Sequence, residues 1–170
     1  MKKSVSTILL IFVSALLLNA QSITGKQWWT KVLADDGTEV YMGFSFEKDQ
    51  SCTLILSTDY EIKEDGVPIT LTGTIGVPGT YTLKDKDLTL NMSRKDAEVN
   101  LDYEIKGMDA KTKELMDKQI RDGINDLKGE FKDVMLEGLP KLKHMKVVSV
   151  KRKELTLKLD SGDELPFIAE

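Results

Sequence analysis

Few residues in this 170-residue chain have the chemistry to act on a substrate. Histidine occurs once, as His144 in "KLKHMK", and cysteine once, as Cys52. A zinc site draws on several His, Cys or carboxylate ligands at close spacing, and neither residue supplies such a set. A Ser-His-Asp triad would have to use this single imidazole, and no serine sits in a Gly-x-Ser-x-Gly turn. Carboxylates are plentiful, among them Asp35, Asp36, Asp59, Glu61, Asp160 and Asp163. A paired-acid hydrolase needs two of them about 5–10 Å apart across one cleft, whereas most of these fall in turns or on polar strand faces, where solvation accounts for them. Gly73, Gly76 and Gly79 form a Gly-x-x-Gly-x-x-Gly run, but without the lysine and following helix of a phosphate loop it reads as hairpin geometry. The chain is therefore expected to be no enzyme, with no catalytic residue, no metal and no cofactor.

The residues suited to binding are of other kinds. Lys141, Lys143, Lys146, Lys151, Arg152 and Lys153 make the one basic concentration, a solvated face or a contact for an anionic glycan, lipid head group or partner. Trp28 and Trp29 are adjacent in a strand pattern and must point to opposite faces, so one enters the core and the other packs under the helix expected over 109–138 or is exposed for binding. The formal net charge of −4 argues against a general nucleic-acid binder.

At the N-terminus, Met1, Lys2 and Lys3 precede a largely apolar run from Ile8 to Leu18, then Asn19, Ala20 and Gln21. A basic start, a short apolar run and a small residue describe a secretory signal peptide over 1–20, cleaved after Ala20, and the run is short for a membrane span. Cys52 lies far from that cut, so no cysteine at the new end carries a lipid, and the expected location is secreted or periplasmic. Cleavage removes Lys2 and Lys3 and no acid, leaving 22 basic against 28 acidic residues, a net charge of −6. The remaining 21–170 has the length of one domain, and with a single thiol it must be stabilised by its core.

Period-two alternation dominates the mature chain. Val40, Met42, Phe44 and Phe46 alternate with polar or small residues, as do Cys52, Leu54 and Leu56, then Ile69, Leu71 and Ile75, then Tyr81, Leu83, Leu88, Leu90 and Met92, then Val99, Leu101, Tyr103 and Ile105. Turns are expected at Asp36-Gly37, at "EKDQS", around "EDGVP", at Gly76 to Gly79 and at Lys84 to Asp87. From Asp109 to Gly138 the spacing changes to three and four through Leu115, Met116, Ile120, Ile124, Leu127, Phe131, Val134 and Met135, which predicts one long amphipathic helix. Asp109 is its expected N-cap, Gly138 its C′ residue, and Pro140 stops continuation. Strands resume over Met145 to Val150, Leu155 to Leu159 and Leu165 to Phe167, the last two joined by "DSGD". A run of short antiparallel strands must close or stack to hide its edges, and hairpin-length turns favour an up-and-down barrel of 8–10 strands, mainly β, with the helix over 109–138 inserted before the last strands. The helix is expected to pack outside the barrel or across one open end.

"SITGKQWW", "GTYTLKDKDLTL" and "ELTLKLDSGDELPF" resemble segments of the lipocalin-like domain proteins secreted by Bacteroidetes, and the resemblance covers most of residues 22–167. It implies a calycin-type barrel without catalysis. Strand parity makes Trp28, Met42, Phe44, Leu71, Leu90 and Tyr103 candidates to line a ligand cavity, since about eight strands enclose either packed side chains or one small ligand. Two functions emerge as expectations: a secreted protein holding a small apolar or amphipathic molecule in its barrel, or an interaction module with a filled barrel whose helix or basic strand surface meets a protein or cell-envelope partner.

Overall fold

The computed structural model describes residues 22–34, 37–64, 67–105 and 110–170. The expected signal peptide, the N-cap at Asp109 and the centres of the "ADDGTE" and "EDGVP" turns lie outside those residues. Nine strands form one antiparallel sheet: β1 (Gln27–Leu33), β2 (Glu39–Phe46), β3 (Ser51–Glu64), β4 (Val67–Lys84), β5 (Asp87–Met92), β6 (Glu98–Ile105), β7 (His144–Val150), β8 (Glu154–Leu159) and β9 (Glu164–Ala169). Helix α1 (Ala110–Met135) separates β6 from β7. The strand order is β3-β2-β1-β9-β8-β7-β5-β4, and pairing of β3 with β4 closes eight strands into a barrel compatible with a calycin-type fold. β6 lies outside that ring, on the far half of β4.

The turns follow their residue chemistry. Gly37 and Gly162 adopt φ of 84° and 100°, and Gln50 and Asp85 take φ of 70° and 58° in the β2–β3 and β4–β5 turns. One expected turn is absent. Gly76 to Gly79 lies inside β4, which runs unbroken for 18 residues. Three-residue spacing in a strand sends Gly73, Gly76 and Gly79 to alternating faces, and Gly73 and Gly79 mark close approaches along it. A Cβ at Gly73 would sit 2.3 Å from Phe131 Cζ, and one at Gly79 would sit 2.6 Å from the Asn91 carbonyl oxygen.

Because β3 and β4 are long, they overshoot the barrel. β2 reaches β3 only as far as the Val40↔Thr58 pair, whereas β3 and β4 remain paired out to Glu64↔Val67. β6 joins this overhang, in register from Gly76↔Glu98 to Ile69↔Ile105. α1 then returns along the overhang. Phe131 lies over Gly73, which shares its face with the core residues Ile75 and Val77. The helix therefore covers the inward-facing side of the overhang and delivers Leu136 and Leu139 into the core at the barrel mouth, Leu136 with no exposed surface. Of the two expected placements, it takes the open end.

The helix leaves by a different route from the expected glycine cap. Gly138 has φ −73° and ψ −11°, in the right-handed region, and starts the short 3-10 turn Leu139–Leu142. Successive bonds from Leu139 N to the Leu136 carbonyl and from Lys141 N to the Gly138 carbonyl carry the chain onward without the reversal that a left-handed C′ residue produces.

The ring has uneven joints. β3 and β4 share fourteen register pairs, but β5 and β7 share three and β1 and β9 share two. The barrel is thus one sheet of β1–β6 and a meander of β7–β9, joined at two short seams.

Candidate functional site

The inward side chains meet one another. Trp28, Phe46, Leu54, Ile75, Val77, Leu155 and Leu157 have 0% of their surface exposed, and Phe44, Leu88, Leu90 and Phe167 have 1%. A side chain bordering a void large enough for water would keep surface accessible to that water. Phe44 stacks on Phe46 at 5.5 Å between ring centroids, Phe167 tilts against Phe44 at 5.7 Å, and Tyr81 meets Phe46 edge-on at 5.1 Å. Trp28, opposite Phe44 across β1 and β2, donates its indole N–H to the Ile23 carbonyl at 2.7 Å. Tyr81 donates its hydroxyl to the Glu47 carbonyl at 2.8 Å. Both buried aromatic dipoles are satisfied where they enter the core.

Of the six candidate lining residues, the fold brings Trp28, Met42, Phe44 and Leu90 together in this packed interior. Leu71 and Tyr103 are a cross-strand pair on the overhang, beyond the end of β2 and beneath α1. Parity found the face that each residue occupies, but the length of β4 put two of them outside the ring.

There the surface opens into a groove of about 500 Å³ between β6 and α1. Leu101 and Ile124, both buried, form its floor. Asp102 and Tyr103 line one wall, and Asp117, Arg121, Asn125 and Lys128 the other. Tyr103 donates its hydroxyl to Asp117 Oδ1 at 2.8 Å. The Arg121 guanidinium bonds the same phenol and lies near Asp117, which holds it further above the ordinary arginine value. Asn100 donates to the Asp102 carboxylate at 2.7 Å on the outer face. An apolar floor with a few fixed polar groups on its rim is the usual form of a recognition site.

A second groove of about 450 Å³ crosses β5, β7 and β8 on the barrel's outside, with Thr89, His144, Lys146 and Lys158 in its lining. His144 is exposed at the start of β7, its Nδ1 3.3 Å from Thr89 Oγ1. Asp87, Lys146, Lys158 and Glu164 succeed one another across β5, β7, β8 and β9, so opposite charges close both ends of this row. Cys52 is buried within sulfur hydrogen-bonding reach of Met92, and burial pushes its thiol up to about 11, away from reactive thiolate. Trp29 lies on the outer face across Gly43, whose added Cβ would meet the indole at 2.6 Å. Its buried N–H has no hydrogen-bond partner among the described residues. Among those residues no three His, Cys, Asp or Glu side chains gather as metal ligands, and no helix is long and apolar enough to cross a membrane.

Helical periodicity exposed Ile124 as an apolar position, yet Asp117, Arg121, Asn125 and Lys128 carried no sequence signal of their own. Their part depends on which flank of α1 meets the edge of β6, and a repeat of 3.6 describes a helix's faces without naming its neighbours. No protein-family profile matches this chain, and no curated protein is significantly similar to it in sequence.

Proposed function

We propose that this chain is a secreted, non-enzymatic interaction module related to the lipocalin-like proteins, in which the barrel is a filled scaffold and the β6–α1 groove meets a protein partner. The carrying observation is the interior, where Trp28, Phe44 and Leu90 keep at most 1% of their surface and leave no room beside them for a guest. Recognition then belongs to the surface, where the groove offers apolar area beside a fixed set of hydrogen-bonding groups. Secretion is supported by the basic and apolar pattern of residues 1–20.

The test pairs two measurements on protein expressed from the full sequence in a host with an export pathway. Native mass spectrometry in the presence of fatty acids should return the unliganded mass. Cross-linking in the source organism's secreted fraction should join Lys128 to one protein, and Asn125→Trp, which fills the groove from an exposed position, should abolish the link. A lipid-sized mass released on denaturation and lost in Phe44→Arg would return the ligand to the barrel and overturn this reading.

A further inference from the structure

We propose that β6 is an acceptor strand, to which an extended segment of the partner, with basic and apolar residues in alternation, adds along the free edge. This rests on the reading of the groove as the recognition surface and names the form and chemistry of what enters it.

β6 ends the sheet, and all eight of its residues are in register with β4. No other strand among the described residues reaches its second edge. In an antiparallel ladder alternate residues turn N–H and C=O away from their partner, so about four residues of β6 offer both groups outward. The groove adjoins β6, where Leu101, Asp102 and Tyr103 all line it. α1 forms the opposite wall through Arg121 and Asn125.

The side chains select the occupant. On the outer face, Asp59, Thr72 and Asp102 form one row across β3, β4 and β6, and Glu61, Thr70 and Glu104 form the next. Glu98 continues the acidic line on β6. An added strand sets its outward residues opposite Glu98, Asp102 and Glu104, where lysine or arginine makes favourable cross-strand pairs. Its alternate residues face Leu101, Tyr103 and Ile124, which suit apolar side chains. A second copy's β6 would instead set carboxylate against carboxylate, so the edge that accepts a basic strand resists pairing with itself. Extended peptides bound in this way gain affinity from the main chain and specificity from alternate side chains.

The probe is a synthetic eight-residue peptide of alternating lysine and valine. Three comparators are the glutamate–valine peptide and two lysine–valine peptides N-methylated at every second residue, one in each phase. Binding is read by fluorescence anisotropy, and protection by amide hydrogen exchange of the protein expressed from its full sequence. The parent peptide should bind saturably and slow exchange at alternate residues of Glu98–Ile105. Glutamate for lysine should weaken binding at least about tenfold, as should methylation in the phase that faces β6, each representing the loss of one or two hydrogen bonds or ion pairs. Absence of parent binding, or protection outside β6, overturns strand addition. Equal binding of the parent and both methylated peptides, lost in Asn125→Trp, would leave the groove as the recognition surface while removing β6 as its template.

Discussion

Gly73 illustrates how one missing methyl group positions the groove. Its Cβ would lie 2.3 Å from Phe131 Cζ and 3.1 Å from Leu101 Cδ2, so α1 approaches the sheet at a distance that only glycine permits. Gly73→Ala should destabilise the protein by about 1–3 kcal/mol in urea denaturation, because the ring and its helix must move. Gly73→Ala with Phe131→Leu should recover part of that loss, giving a coupling of about 0.5–3 kcal/mol in a double-mutant cycle. Additive losses would show that the contact does not govern the approach. Cys52 makes a second prediction at this scale. Burial disfavours its thiolate and raises the folded pKa from 9.0 to about 11, so the native state holds the proton where the unfolded state has released it. The associated stability is full below pH 9 and declines as pH rises from 9 to 11. The difference in stability between the wild type and Cys52→Ala should narrow across that window, and native Cys52 should resist alkylation at pH 8 while the denatured chain reacts.

At the scale of elements, α1 is both a wall of the groove and the stopper of the barrel. Leu136, just past its last turn, has no exposed surface among the barrel residues. Leu136→Ala should cost about 2–5 kcal/mol, measured by chemical denaturation, since it removes buried methyl groups and leaves a cavity at the mouth. A loss below about 1 kcal/mol would mean that the helix end only rests on the barrel. The period-two runs, hairpin dipeptides and helical spacing made the strand–helix–strand order readable, and the barrel with it. The extent of β4 was hidden because Gly76 and Gly79 imitate turn chemistry, and that length creates the overhang. The groove was hidden for a related reason: Arg121 and Asn125 acquire their role from a sheet edge some twenty residues earlier in the chain, a relation that no local periodicity carries.

Across the whole molecule, the acidic overhang and the basic β7–β8 region occupy different parts of one net-negative chain, so its surface charge is divided by sign. The packed interior leaves these outer surfaces to carry recognition in the proposed function. The two seams of the ring also make the barrel a hinged object. β7–β9 is held to the rest by three register pairs and two flanking backbone bonds on one side, and by two register pairs and one such bond on the other, while its own strands pair more extensively. Such a unit is expected to open at a lower free energy than the β2–β4 sheet. Amide exchange in β7, β8 and β9 should converge on one shared value in low denaturant while β3 and β4 remain protected to the global limit. Opening there would bare Trp28, fully buried beside the β1–β9 joint, so indole emission should shift red before the far-ultraviolet signal of the sheet is lost, and the protein would carry its own optical report of the barrel coming apart.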